Sequence, residues 1–146
     1  MEAYVKKDIN KNAAYYTIFW SSFKKAEKFD IVTCVPSISG IFELYYQDKK
    51  KKLNLFFLSK AYYGGLKYEI RKRTDPEMET DPQRKKIIEK YDCYYRYAAT
   101  NSYQDMKDIF YFFARTYLPH VPAPAPSGRY EDIFIEEISK DKIVDI

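Results

Sequence analysis

Hydrophobic and polar positions divide the chain into segments of helical and of strand periodicity. Across residues 12–28, aromatic residues recur at i, i+3, i+4 and i+7, which is the spacing of one face of an amphipathic helix. These residues are Tyr16, Phe19, Trp20 and Phe23. Lysines follow at the end of the segment, where cations suit the helix dipole. The pattern predicts an N-terminal amphipathic helix.

The next segments have the β-branched and aromatic composition of strands. DIVTC (30–34) predicts one strand, and GIFELYYQ (40–47) and KLNLFFLS (52–59) predict two more. The polar run Asp48–Lys52 lies between the last two and suits an exposed turn. We therefore expect a β-hairpin with a basic tip.

Glycine, proline and capping residues then mark two short helices and a strand. Gly64–Gly65 interrupts the strand pattern, and Leu66 and Ile70 predict a short helix with a strongly positive outer face. Asp81–Pro82 is typical of the start of a second short helix. CYYRYAAT (93–100) predicts a strand.

The final third of the chain predicts a long helix, a connector and a strand. Asn101 or Ser102 can cap a helix that runs to about Leu118. Its apolar stripe toward the core is formed by Met106, Ile109, Phe110 and Phe113. Residues 119–126 are rich in proline and predict an extended, polyproline-like connector. Residues 132–146 alternate enough for one or two short edge strands, or for a tail that pairs with another chain.

These elements predict an α+β fold. We expect a small, mainly antiparallel sheet with a β-hairpin, flanked by helices, plus an N-terminal amphipathic helix and a C-terminal strand arm. The length of 146 residues is usual for one domain. The domain is predicted to span residues 1–121, and the connector with the acidic arm to span residues 122–146.

Composition bounds the class of protein. Hydrophobic residues make up 46% and charged residues 32%, as in globular proteins and unlike disordered ones. The 16 Tyr and 10 Phe indicate either an AT-rich genome or a surface that stacks on bases. No run approaches the ~20 apolar residues of a membrane span, and the first ten residues lack an apolar signal core. We expect a soluble, cytoplasmic protein with no membrane partner.

Few residues suit metal or nucleophilic chemistry. Cys34 and Cys93 are far apart and His120 is the only histidine, so neither a disulfide framework nor a zinc site is indicated. Mg²⁺ bound by carboxylates stays open, but no metal site and no cofactor are predicted. No serine has a nucleophile-elbow context, and Gly64–Gly65 lacks the spacing of a phosphate-binding loop. No catalytic residue is therefore predicted.

Charge is distributed unevenly. Residues 49–90 carry 13 Lys and Arg against 6 Asp and Glu, a net charge of +7, whereas residues 128–146 carry 3 against 6, a net charge of −3. A basic segment is typical of a phosphate-binding surface, although a solvated face is the commoner meaning of a lysine run.

Residues 35–119 resemble the GIY-YIG nuclease domain. Pro36–Phe42 is similar to the proline-led entry into the family's GIY strand, and Phe57–Ala61 to its YIG-Lys-Ala segment. Leu66–Arg73 resembles the arginine-bearing helix that follows. The resemblance implies a small sheet with the hairpin first, then one or two helices, a third strand, and a long helix that ends near a proline.

The resemblance also implies a site whose chemistry this chain lacks. In the family, two tyrosines activate or position water, an arginine stabilises phosphate charge, and a glutamate holds Mg²⁺. Phe42 and Phe57 stand at the tyrosine positions without a hydroxyl, and Ser59 stands at the motif glycine. Lys67 stands at the arginine position. Phe110 stands at the glutamate position, and a phenyl ring cannot bind Mg²⁺.

Neighbouring residues do not restore the site. Arg71 lies one turn after Lys67, so a cation survives without a guanidinium at the matching place. Asp105 and Asp108 precede Phe110 by five and two residues and point elsewhere on the helix. As a member of this family, the chain would be catalytically inactive.

Charge and resemblance together predict a non-catalytic protein that binds DNA or RNA. Binding through phosphates would be salt-sensitive and largely independent of sequence. The predicted phosphate-binding residues are Lys49, Lys50, Lys51, Lys52, Lys60, Lys67, Arg71, Lys72 and Arg73. Tyr62, Tyr63 and Tyr68 are candidates for stacking on unpaired bases.

Two alternatives stay open. The first is a protein-interaction or inhibitor module, or a homodimer, that docks through its aromatic face or its C-terminal arm. The second is an active Mg²⁺-dependent nuclease with a rearranged site. It would need Tyr45, Tyr46 or Tyr62 to replace the lost hydroxyls and an aspartate to replace the glutamate.

Overall fold

The computed structural model describes residues 3–120 and 122–141, which form seven strands and four helices. The strands are β1 (Tyr4–Asn10), β2 (Ala13–Phe19), β3 (Lys24–Lys25), β4 (Gly40–Gln47), β5 (Leu53–Ala61), β6 (Cys93–Ala99) and β7 (Asp132–Ile138). The helices are α1 (Lys28–Cys34), α2 (Gly65–Thr74), α3 (Pro82–Lys90) and α4 (Tyr103–Tyr117).

The strands form one mixed sheet that curls into a half-barrel. Its order is β5-β4-β6-β1-β2-β7, and β3 pairs with β6. The β1–β6 and β2–β7 pairs are parallel, and the other pairs are antiparallel. The predicted small, mainly antiparallel sheet is therefore wrong. β1, β2, β3 and β7 enlarge it beyond the predicted hairpin and third strand.

The predicted N-terminal helix over residues 12–28 is wrong, because most of this segment is strand. Tyr16 and Trp20 are four residues apart, a spacing close to one helical turn and also an even number, as one face of a strand requires. Ile18 distinguishes a strand from a helix. It lies between Tyr16 and Trp20 in sequence and is fully buried with them, whereas in a helix it would point to the opposite face. A two-residue turn joins β1 to β2, with Lys11 at a φ of 56°, as tight hairpins require.

The predicted strand at residues 30–34 is also wrong, because these residues belong to α1. Glu27 caps this helix, and its carboxylate accepts hydrogen bonds from the backbone N–H groups of Phe29 and Asp30. Ile31 is buried against the sheet. The cap and this packing outweigh the strand preference of the β-branched residues.

The hairpin, both short helices, the third strand and the long helix are confirmed as β4–β5, α2, α3, β6 and α4. Asp81 caps α3 by accepting a hydrogen bond from the backbone N–H of Arg84. Ser102 caps α4 in the same way through Asp105. These signals are local in the sequence, so they do not depend on the rest of the fold.

Helices pack on both faces of the sheet, and β4, β5 and β6 each contribute to two cores. Phe42 and Leu44 of β4 pack on the side of α1 and α2, whereas Ile41 packs on the side of α4. α4 contacts both edge strands, β5 and β7, and thus lies inside the curve of the half-barrel. Because side chains alternate along a strand, position alone decides which side a residue reaches.

The predicted C-terminal strand forms on the edge of the chain's own sheet. β7 pairs with β2 along its whole length, and Ile133 and Ile135 turn toward the core beneath α4. The connector before β7 is held to α4, since Asp108 accepts hydrogen bonds from both the backbone N–H and the hydroxyl of Ser127. The predicted second strand would include residues 142–146, which lie outside the described residues.

Candidate functional site

The cations predicted to bind phosphate lie in three separate places. Lys49–Lys52 form the exposed tip of the hairpin, whereas residues 67–73 lie on α2, beyond the other end of β5. At ~3.3 Å per residue, the length of β5 separates the two groups by roughly 25–30 Å. Lys60 lies on the α4 side, with Nζ 5.0 Å from the ring centre of Phe110. These residues therefore do not form one continuous footprint.

Arg73 is engaged in a structural cluster between α2, α3 and β5. Its guanidinium lies 3.2 Å from the buried carboxylate of Glu79 and 5.4 Å from the ring centre of Phe57. Arg84 binds the same carboxylate at 3.0 Å and lies 4.5 Å from the same ring. Glu79 thus neutralises the charge of Arg73, a residue that was predicted from the sequence to bind phosphate.

Four exposed tyrosines cluster where α2 and α4 begin. We call Tyr62, Tyr63, Tyr68 and Tyr103 the tyrosine platform. The ring centre of Tyr62 lies 5.1 Å from that of Tyr63 and 5.1 Å from that of Tyr103. Tyr63 is 85% exposed and Tyr68 is 50% exposed. Sequence reasoning missed Tyr103, for which the available signal is its place directly after a helix cap.

Two glycines turn the chain from β5 into α2 and so position the platform. Gly64 and Gly65 have φ values of 83° and 80°, in the left-handed region that favours glycine. A Cβ at Gly64 would lie 3.0 Å from the ring of Tyr68, and one at Gly65 would lie 3.0 Å from the backbone of Ser37. The ring of Tyr68 therefore packs on the turn that follows Tyr63.

Positive charge adjoins the tyrosine platform. Lys72 Nζ lies 5.9 Å from the ring centre of Tyr68, and Lys67 lies on the first turn of α2. Neither lysine forms an ion pair with a described residue, whereas Arg71 lies 3.4 Å from Asp75. α2 and α4 both begin here, and helix N-termini carry partial positive charge. The backbone N–H groups of Leu66 and Lys67 at the start of α2 already donate to the carbonyls of Ile38 and Pro36.

The positions that the GIY-YIG resemblance compares with catalytic residues lie on both faces of the sheet. Phe42 is fully buried on the side of α1 and α2, with its ring centre 5.9 Å from that of Phe57. Phe110 packs on the side of α4. The sheet separates the two sets, and none of these rings can donate a proton or bind Mg²⁺.

Asp105 and Asp108 belong to a polar network that joins four segments. Tyr16 Oη lies 3.2 Å from Asp105 and 3.1 Å from Asp108. Arg129 Nη2 lies 2.8 Å and 2.9 Å from the same two carboxylates. Burial alone would raise the pKa of Asp105, but hydrogen bonds from Arg129 and Lys7 lower it below its ordinary value. Both carboxylates are occupied in holding the fold.

Sequence reasoning also missed a buried ion pair inside the half-barrel. Glu43 on β4 faces Arg96 on β6. Its Oε1 accepts hydrogen bonds from Arg96 Nε at 2.6 Å and from Tyr45 Oη at 2.8 Å. Burial raises the pKa of Glu43, against the opposing effect of Arg96. The available signal is a charged residue inside each of two otherwise apolar and aromatic strands.

Arg96 extends this cluster to the end of β7. It donates a hydrogen bond to Ser139 Oγ at 2.8 Å and lies 3.7 Å from Glu137. Its guanidinium also lies 4.6 Å from the ring centre of Trp20. Glu137 accepts further hydrogen bonds from Trp20 Nε1 at 2.8 Å and from Tyr117 Oη. Residues distant in sequence thus meet around one guanidinium.

An open cleft of about 680 Å³ lies over this cluster, between β5, the end of β7 and the end of α4. We call it the β5–β7 cleft. Its polar lining includes Glu43, Tyr45, Arg96, Tyr117, Glu137 and Ser139. Its apolar lining includes Leu53, Leu55, Leu58 and Leu118. This volume is within the ~300–1,000 Å³ usual for small-molecule sites.

The described residues contain neither a cluster of metal ligands nor a membrane-spanning helix. Among residues 3–120 and 122–141, no three His, Cys, Asp or Glu side chains are grouped to hold a metal ion. No helix in this part of the chain is long and apolar enough to cross a membrane. Cys34 is exposed and Cys93 is buried, and both are free thiols. Burial raises the pKa of Cys93 to about 12.

Comparison with known proteins places the chain in a family. No curated protein and no solved structure matches it. A family model described as "Uncharacterised protein" matches residues 4–146, which is nearly the whole chain. The chain therefore belongs to this family of uncharacterised proteins.

Proposed function

We propose that this protein binds unpaired DNA or RNA bases on the tyrosine platform, without cleaving the strand. The observation that carries the proposal is the exposure of four neighbouring tyrosines beside Lys67 and Lys72. Stacking of a base on an aromatic side chain contributes about 1–3 kcal/mol and tolerates any base. The expected binding is therefore independent of sequence.

The surroundings of the platform suit the phosphates of a bound strand. Lys67 and Lys72 have no ion-pair partner among the described residues, so no such bond has to break before they meet phosphate. The starts of α2 and α4 add partial positive charge at the same place. The lysines of the hairpin tip lie too far away to contact the same few nucleotides.

Two observations support the absence of cleavage. The positions compared with nuclease residues are Phe42, Phe57 and Phe110, which offer neither a hydroxyl nor an oxygen ligand. Asp105 and Asp108, the nearest carboxylates on α4, are already bonded to Arg129. The protein would be a degenerate relative of the GIY-YIG nucleases that keeps only their affinity for nucleic acid.

Fluorescence anisotropy with labelled single-stranded and duplex oligonucleotides tests the proposal. We expect tighter binding to single strands, weakening as salt rises, with the probe intact in the presence of Mg²⁺. Tyr63→Ala and Tyr68→Ala should each weaken single-strand binding by about tenfold, since each removes roughly one stacked base.

Tyr15→Ala is the matched control, because Tyr15 is also exposed, at 42%, but lies on β2 and stacks on Phe134. The affinity of the Tyr15→Ala variant for single strands should equal that of the wild type. Equal binding of single strands and duplex, or wild-type affinity in both platform variants, would contradict the proposal.

A second candidate is a protein-interaction module that adds a strand to the outer edge of β7. It is favoured by the place of β7 at the end of the strand order, which leaves its outer backbone groups without a strand partner in the described chain. Phe134 and Ile138 lie exposed on this strand. Such edges bind extended peptides through main-chain hydrogen bonds.

A further inference from the structure

One carboxylate oxygen of Glu43 in the β5–β7 cleft has no hydrogen-bond donor among the described residues. Glu43 is only 2% exposed and lines the cleft. Its hydrogen bonds from Arg96 and Tyr45 both reach Oε1, and no described residue donates to Oε2. Among the described side chains, the sealed atoms without a partner are Arg73 Nε and Tyr95 Oη. Glu43 Oε2 therefore opens to the cleft.

Two carboxylates, Glu43 and Glu137, and two cations, Arg96 and Lys52, line the cleft. Glu43 and Glu137 share the single guanidinium of Arg96, at 2.6 Å and 3.7 Å. The side chain of Glu137 is 23% exposed, whereas that of Glu43 is buried, and a buried carboxylate is stabilised by a nearby cation. Lys52 lines the cleft, where it is exposed and forms no ion pair with a described residue. A ligand cation that reaches the bottom of the cleft would meet the Glu43 oxygen to which Arg96 and Tyr45 do not donate.

The walls above this charge are apolar. Leu53 and Leu55 come from β5, and Leu118 follows the end of α4. β5 is an edge strand, so its outer side leaves room for a ligand to enter. A ligand for this cleft needs a cationic end for the carboxylates and an apolar body for the leucines.

We propose that the β5–β7 cleft binds a small organic cation with an apolar body, whose ammonium or guanidinium group donates a hydrogen bond to Glu43 Oε2. The apolar body lies against Leu53, Leu55 and Leu118. This site is separate from the tyrosine platform, which lies beyond the opposite end of β5. Binding here does not depend on whether the protein binds nucleic acid.

Isothermal titration calorimetry with three indole probes tests the charge requirement. Tryptamine carries an ammonium group, indole-3-ethanol is its neutral counterpart, and indole-3-acetate is an anion. We expect tryptamine to bind about tenfold more tightly than indole-3-ethanol, because a hydrogen bond to a charged partner is worth more than a neutral one. Indole-3-acetate should not bind measurably.

Two variants locate the site. Leu118→Trp fills the apolar wall without touching the ion pair, and it should weaken tryptamine binding by about tenfold. Glu43→Gln should weaken it to a similar degree by removing the acceptor charge. Val32→Trp is the control, since Val32 is exposed on α1, across the sheet from the cleft. Its affinity should match that of the wild type.

The three probes and Leu118→Trp test the proposal even if Glu43→Gln fails to fold. Equal affinity for tryptamine and indole-3-ethanol, or no binding of tryptamine at millimolar concentration, overturns the proposal. So does wild-type affinity in Leu118→Trp. Selective binding of tryptamine that Leu118→Trp weakens and Val32→Trp retains supports it, with Glu43→Gln as the additional measurement when that variant folds.

Discussion

Folding shifts the pKa values of two buried glutamates, Glu79 and Glu43, in opposite directions. Burial alone would raise the pKa of Glu79, but hydrogen bonds from Arg84 and the backbone N–H of Asp81, with the charges of Arg84 and Arg73, lower it. Burial raises the pKa of Glu43 despite Arg96. Glu79 therefore stabilises the fold above the unfolded-state pKa of glutamate, and this contribution is lost as pH falls through its lowered pKa. The contribution of Glu43 to stability depends on pH in the opposite way: it is lost as pH rises from the unfolded-state pKa of glutamate through the raised pKa of Glu43.

Glu79→Gln tests the first of these contributions. Because it leaves Arg73 and Arg84 without their shared carboxylate, we expect a loss of about 3 kcal/mol in the free energy of unfolding at pH 7. Urea unfolding should show the difference from the wild type shrinking as pH falls from 7 to 3, because the stabilisation by Glu79 is lost as pH falls through its lowered pKa. Glu77→Gln, at a neighbouring exposed position, should match the wild type at both pH values. A constant deficit for Glu79→Gln at pH 7 and pH 3 would contradict the ion-pair account.

At the scale of single elements, local capping signals were reliable, whereas periodicity predicted the core-facing stripe of α4 correctly and the helix over residues 12–28 wrongly. Asp81 and Ser102 cap α3 and α4 as their sequence context indicates, because a cap needs only the next three residues. The spacing of Tyr16 and Trp20 was ambiguous, since strand and helix faces both accept it. The pairing of β2 with β1 and with β7 makes this segment a strand, and no short stretch of sequence contains both pairings.

Ser102→Ala tests which of the two candidate residues caps α4. Ser102 Oγ accepts the backbone N–H of Asp105 at 3.1 Å, so its loss should cost about 1 kcal/mol of unfolding free energy. Asn101→Ala, one residue earlier and exposed, should cost less than about 0.5 kcal/mol. Chemical denaturation of the two variants measures the difference. A larger cost for Asn101→Ala than for Ser102→Ala would show that Asn101, and not Ser102, caps α4.

At the scale of the whole molecule, the C-terminal strand is part of the half-barrel. β7 pairs with β2 and packs against α4. The buried cluster around Arg96 and the network around Asp108 fasten its two ends. A segment fixed in this way contributes to folding, whether or not its outer edge also binds a partner.

Ile135→Asp and Phe134→Asp form a matched pair for this strand. Ile135 faces the core and Phe134 is 48% exposed. Placing a charge at residue 135 should lower the unfolding free energy by at least about 2 kcal/mol, whereas the change at residue 134 should cost much less. Thermal unfolding of both variants measures this. Equal melting temperatures would indicate that β7 is an arm with no share in the core.

The sequence by itself determined the elements whose signals are local: the β4–β5 hairpin, the glycine turn into α2, the caps of α3 and α4, and the proline-rich connector. Turn and cap chemistry acts over a few residues, so it can be recognised without the fold. Only the tertiary structure decided where the functional groups meet. It placed Lys60 across the sheet from α2, paired Arg73 with Glu79, and brought Glu43, Arg96 and Glu137 together from three strands. Such meetings depend on strand order and register, which are set by packing between segments distant in sequence.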